Sequence, residues 1–242
     1  MNGHTVRAFE EELRSLSDKI LHMGGLTEHM LADAVRALDT QDIELAARII
    51  ADDARVDRIE AEVEEMAVLV IARRQPVAVD LRAVISAIRI SHDLERVGDL
   101  AKNIAKRVSA IGDEKAPPRF SSGLKHMVEL AQDQLKDALD AYVEKDADKA
   151  IRVRDSDEGI DALYTALFRE LLTYMMEDPR NISPCTHMLF CAKNIERVGD
   201  HATNVAETVY YLVRGDALRD ERPTDDRTMH VDGGRTPSAV NV

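Results

Sequence analysis

Residues 91–107 read SHDLERVGDLAKNIAKR, and residues 194–207 read NIERVGDHATNVAE. The letters Glu-Arg-Val-Gly-Asp stand at 95–99 and again at 196–200, an offset of 101 residues. That offset is too long for a solenoid unit and about the size of one small domain, so it predicts an internal duplication. Within each copy the acidic residues lie one helical turn apart. Glu95, Asp99 and Asn103 share one stripe, as do Glu196, Asp200 and Asn204. Like charges at this spacing cost an isolated helix roughly 0.2–0.5 kcal/mol, so keeping them in both copies points to a compensating cation. Oxygen ligands suit hard cations such as Mg²⁺ or Mn²⁺, and carboxylate-rich helices also hold iron. The competing reading is a solvated acidic face. Gly98 and Gly199 recur beside the acids, and a glycine inside a helix implies close approach by a neighbour.

Outward from this stretch the chain reads as helices. The first runs from about residue 7 to 38 on a three-and-four spacing from Phe9 to Leu38, with Gly24-Gly25 marking a bend or a close crossing. Asp42 is placed to cap a second helix over 43–73, whose apolar stripe carries Asp53, Asp57, Glu60 and Glu64 on one flank. Gln75-Pro76 stops it, and a third helix follows over 77–111. Projected at ~100° per residue, Leu94, Val97, Ala101, Ile104 and Val108 share one meridian and the acids lie opposite. That places the carboxylates on an exposed or grooved face, where Asp53 and Asp57 of the neighbouring flank are positioned to join them.

Residues 112–118 end in Pro-Pro, through which a helix does not run. The order then restarts with helices over 119–143, 147–177 and 181–214. Asp157 and Asp161 in DEGIDALY match Asp53 and Asp57 in DARVDRIE. The prediction is an all-α chain of six long helices in two tandem, pseudo-symmetric three-helix bundles. The first occupies 1–111, a linker 112–118, the second 119–214, and a disordered tail 215–242, where charge, Gly and Pro replace periodicity.

Composition sets further bounds. Aromatic residues make up only 4% of the 242 and Trp is absent, so the core is aliphatic and helical in character. A net charge of −13 argues against nucleic-acid binding, which needs a basic face. Cys185 and Cys191 fall on different faces of one helix, which predicts no disulfide and a reduced, cytoplasmic setting. No apolar run reaches the length of a membrane span.

The two copies DLERVGDLAKNIAKR and NIERVGDHATNVAE, the QPVAVDLR run at 75–82 and the opening EELRSLSDKILHMGGLTEHML together resemble the PhoU family, from about His4 to Arg214. The resemblance implies two three-helix bundles whose E(D)-x-x-x-D motifs bind metal. Those motifs fall on Asp53, Asp57, Glu95 and Asp99 in the first half and on Asp157, Asp161, Glu196 and Asp200 in the second, with Asn103 and Asn204 assisting. Iron, manganese, magnesium and zinc are the candidate ions. It also implies a homodimer without catalysis that restrains phosphate uptake and the starvation response, by contact with the phosphate-specific ABC transporter ATPase and a sensor histidine kinase. Membrane association would come only through those partners. The chain departs from its own repeat at Leu100 against His201 and at Lys102 against Thr203, which leaves open whether the halves hold the same ion.

The alternative is a carboxylate-bridged metalloenzyme or metal-storage bundle. Di-iron sites add Glu-x-x-His pairs. Here His92 precedes Glu95 by three, the reverse order, and His201 projects away from the face of Asp200. Neither is assigned as a ligand. Arg96 and Arg197 beside the acids either bridge them internally, the favoured role, or meet an acidic partner. No glycine-rich phosphate loop is present, and the adjacent Ser91 and His92 diverge too far to form a nucleophile pair.

Overall fold

Asp42 caps the second helix as the sequence predicts: its carboxylate accepts a hydrogen bond from the Leu45 amide at 2.8 Å. Asp146 does the same in the second half, accepting from the amides of Asp148 and Lys149 at 2.9 Å each. The residue before each cap, Gln41 or Lys145, turns the chain with a positive φ of 57° or 53°. Replacing Asp42 with alanine is expected to cost about 1 kcal/mol, within the usual range for a lost N-cap, read as a shift of the urea midpoint.

The computed structural model describes residues 2–111 and 118–218. The helices are α1 (Asn2–Thr40), α2 (Ile43–Arg74), α3 (Val79–Ile111), α4 (Pro118–Glu144), α5 (Ala147–Asp155), α6 (Glu158–Glu177) and α7 (Ile182–Arg214), with a 3₁₀ turn at Pro179–Asn181. There is no strand among the described residues. None of these helices is long and apolar enough to cross a membrane. Gln75, with φ 49°, ends α2, and Gly215, with φ 84°, ends α7. Most of the predicted linker, and the predicted tail beyond Leu218, lie outside the described residues.

One expectation is narrowed and one changes. Gly24-Gly25 does not interrupt α1, which continues unbroken, and of the two expected roles it is the close crossing that is found, with Gly24 against the Leu139 side chain of α4. The fifth helix, expected over 147–177, is broken into α5 and α6 at Ser156-Asp157. There the Ser156 hydroxyl donates to the Val153 carbonyl at 2.7 Å, while its amide is shared between the carbonyls of Arg152 and Val153. A serine that bonds its own preceding turn competes with the helix, and this one closes α5. The second half therefore keeps three arms, one of them in two pieces.

Helices α1, α2 and α3 pack on one another, and α4, α5, α6 and α7 do likewise. The halves join along two antiparallel seams. Along α1 and α4, Ser17 meets Tyr142, Gln132 donates to the Glu28 carbonyl and Lys125 pairs with Asp39. Along α3 and α7, Arg82 lies against Gly215 and Arg107 over the ring of Phe190. One hydrophobic core runs through both halves, from Leu16 and Ile20 through Ile90 and Leu94 to Phe120, Leu135 and Val205. Fully burying each such side chain stabilises by roughly 1.5–3 kcal/mol relative to leaving it in water, so the shared core holds the halves as one body. The two arms that carry the remaining acids, α2 and α5–α6, flank α3 and α7.

Candidate metal centre

In the first half, α2 brings Asp53 and Asp57 against Glu95 and Asp99 of α3. The residue that ties them is Lys102. Its Nζ donates to Asp53 Oδ2 and to Asp99 Oδ1, both at 2.5 Å. Burial opposes the charge on Lys102, but those two hydrogen bonds outweigh it and raise its pKa. Arg96 lies at the rim with Nε 3.4 Å from Glu95 Oε2 and Nη1 3.5 Å from Asp99 Oδ2, an internal bridge as expected. Burial raises the pKa of Asp57, and the neighbouring Asp53 and Asp99 add to it. Burial likewise raises Glu95, with Asp99 reinforcing the shift and Arg96 opposing it. Asn103 is half-buried one turn beyond Asp99.

Glu60 and His92 stand beside this group. His92 Nδ1 is 3.2 Å from Glu60 Oε1, and one potential ligand atom each from Glu60, His92 and Glu95 lies within 4.8 Å of the others. The sequence reading did not select either residue. The signal was available: Glu60 continues the flank of Asp53 and Asp57, and His92 is one turn before Glu95 on its own face.

The second half is built differently. Asp157, Asp161 and Glu196 are all buried, at 3%, 5% and 6% exposure. The break in the arm seats Asp157 against α7, with Gln134 of α4 beside it. Gln134 Nε2 donates to Asp157 Oδ1 at 3.2 Å, to Thr203 Oγ1 at 3.0 Å and, more weakly, to the Val153 carbonyl at 3.4 Å. Gly199 permits this approach: a Cβ there would stand 3.0 Å from both Asp157 Oδ1 and Ile160 Cδ1. Lys193 donates to Glu196 Oε1 at 2.7 Å, and its ammonium sits 5.0 Å from the centroid of the Tyr164 ring. Burial pushes Glu196 up to about 7, with Asp200 and Asp161 adding to the rise and Lys193 opposing it.

Asn204 does not reach these acids through any hydrogen bond among the described ones. Its amide donates to Asp93 Oδ1 of α3 at 3.3 Å, and His201 Nδ1 meets the same oxygen at 2.9 Å. The i,i+4 spacing put Asn204 on the stripe of Asp200, but the seam with α3 supplies the acceptor it meets. Cys185 and Cys191 are both buried, and burial pushes the Cys191 thiol up to about 12.

Both halves offer carboxylate oxygens that would suit a bound cation. Glu95 Oε2 and Glu196 Oε2, at matched positions of the repeat, are buried acceptors with no hydrogen bond, the first with Arg96 Nε 3.4 Å away. An orphaned buried carboxylate oxygen costs free energy that a metal ion would recover. Asp53, Asp57, Glu95 and Asp99 on one side, and Asp157, Asp161, Glu196 and Asp200 on the other, would supply the oxygen donors.

The family model described as PhoU domain matches this chain twice, over residues 20–108 and 124–209. The chain belongs to the PhoU family. A PhoU relative from Rhizobium meliloti (strain 1021), described as a phosphate-specific transport system accessory protein PhoU homolog, is 56% identical over 227 residues, covering 94% of this chain and 96% of its own. A Caulobacter vibrioides PhoU homolog with the same description is 46% identical over 226 residues, covering 93% of this chain and 98% of its own. Among solved structures, PhoU from Pseudomonas aeruginosa superposes with a TM-score of 0.82 at 41% identity, over 86% of this chain and all of that one. The phosphate transport system regulatory protein PhoU from Streptococcus pneumoniae gives 0.80 at 32% identity, over 87% and 99%. The all-helical PhoU architecture expected from the repeat is thus the one observed.

Proposed function

We propose that this protein is a metal-binding regulatory adaptor of phosphate homeostasis. It restrains phosphate uptake and the phosphate-starvation response through contact with the phosphate-specific transporter ATPase and the sensor histidine kinase, and performs no catalysis of its own. The observation that supports this reading most is the near full-length identity to phosphate-specific transport system accessory proteins. The paired carboxylate clusters add the metal. Bound there, a cation neutralises acids of two packed helices and ties α2 to α3, or α5–α6 to α7, so that occupancy sets how firmly each flanking arm is held.

The test is a deletion strain complemented by the wild-type gene and by Glu196→Ala/Asp200→Ala. Phosphate uptake, a starvation-promoter reporter and pull-down of the ATPase and kinase are measured at high and low phosphate, with metal analysis of the purified protein. Expected are derepressed uptake on deletion, restoration by the wild type, and weaker restoration by the double variant. Unchanged uptake together with no interaction with either partner overturns the reading.

A further inference from the structure

The duplication makes each position of one half a control for the other. Between α3 and α7 the matched pairs are His92 with Lys193, Glu95 with Glu196 and Lys102 with Thr203. Between the flanking arms they are Asp53 with Asp157 and Glu60 with Tyr164. Each acidic cleft therefore has two levels, an inner one at Asp53 or Asp157 and an outer one around Glu95 or Glu196.

The two halves place a lysine at different levels. In the first half the Lys102 ammonium fills the inner level between Asp53 and Asp99. The second half has Thr203 there, with the neutral Gln134 amide on Asp157. At the outer level the arrangement reverses. Lys193 places an ammonium against Glu196 Oε1 and over Tyr164, whereas the first half presents Glu60, His92 and Glu95. The second half thus marks the outer level as a place where this backbone accommodates a positive charge. In the first half no lysine among the described residues reaches it; Arg96 Nε stands 3.4 Å from Glu95 Oε2 at the rim, and that oxygen accepts no hydrogen bond.

We propose that the outer level of the first half is a transition-metal site, with Glu60, His92 and Glu95 as ligands and zinc as its representative ion. This inference deepens the metal-binding part of the proposed function and rests on it. One imidazole and two carboxylates converging within 4.8 Å form a three-ligand set of the kind that zinc completes with solvent, and an imidazole ligand disfavours Mg²⁺. The His92 side chain is 55% exposed, so solvent reaches this ligand. The second half, with lysine and tyrosine at the same level, has no such site. The two halves then differ in the metal they take: nitrogen and oxygen ligands in the first, oxygen alone in the second.

The experiment is zinc titration of the full chain by calorimetry after chelator treatment, with ¹⁵N-histidine spectra as a second readout. His92→Ala, Glu60→Gln and His92→Lys are compared with the wild type, and Mg²⁺ is titrated in parallel. His92→Lys installs the residue of the second half and supplies the ammonium directly. Expected is loss of one zinc equivalent, or at least a tenfold weaker Kd for it, in all three variants, with Mg²⁺ binding unchanged and one imidazole signal shifted by zinc only when His92 is present. Zinc binding of equal stoichiometry and affinity in the wild type and His92→Ala overturns this inference while leaving the broader metal reading intact. Binding of neither zinc, manganese, iron nor magnesium by the wild type overturns both.

Discussion

Lys102→Met is expected to destabilise the metal-free protein by about 2–4 kcal/mol, because it strands a buried charge. Asp53 is only 7% exposed, and the Lys102 ammonium is the cation that meets both it and Asp99. Methionine fills much the same volume, so the loss is electrostatic rather than a cavity. The measurement is urea unfolding in EDTA, followed by the same titration in millimolar Mg²⁺ or Mn²⁺. An added divalent ion should restore much of the lost stability, since any ligand bound only by the folded chain stabilises it by mass action. Equal stability of variant and wild type in EDTA would show that the Lys102 pairs are not what holds Asp53 in place.

Glu196→Gln should act in the other direction. A carboxyl whose folded-state pKa is about 7 against an ordinary glutamate value of 4.5 binds its proton more tightly folded than unfolded. Stability from this group is therefore greatest below pH 4.5, declines as pH rises from there to 7, and stays low above it. In the metal-free protein, glutamine removes that cost, so the variant should be about 2–3 kcal/mol more stable than wild type at pH 8 and indistinguishable from it near pH 4.5. Chemical denaturation at the two pH values measures this. A variant less stable at pH 8 would mean that the Lys193 pair outweighs burial. With metal bound, the order should invert, because the ion needs the ionised carboxylate.

Much of the architecture was legible because helical periodicity and caps are local. Asp42, Gln75 and the Pro-Pro pair placed three of the boundaries directly. The offset between the two Glu-Arg-Val-Gly-Asp runs revealed the duplication, and the flank of α2 announced Asp53 and Asp57. The break at Ser156 was hidden, since it depends on a serine side chain choosing its own backbone over solvent. The roles of Lys102, His92 and Asn204 were hidden for a different reason. Each is decided by what the neighbouring helix offers: two aspartates for Lys102, Glu60 for His92, Asp93 for Asn204. Stripe patterns say which face a residue is on but not which partner waits there. The contrast between Lys102 and Thr203 was visible in the letters, and only the packing showed that Lys102 bridges Asp53 to Asp99.

The antiparallel seams have a bearing on ancestry. When α1 lies head-to-tail against α4, and α3 against α7, equivalent surfaces meet across a local two-fold axis, which is the geometry by which identical subunits pair isologously. A single-repeat forebear would have met a second copy of itself along these same ridges, and fusion of the two genes would have freed each face to drift. Lysine, histidine and threonine could then be exchanged on one side of the axis without being imposed on the other, a divergence that strict symmetry forbids.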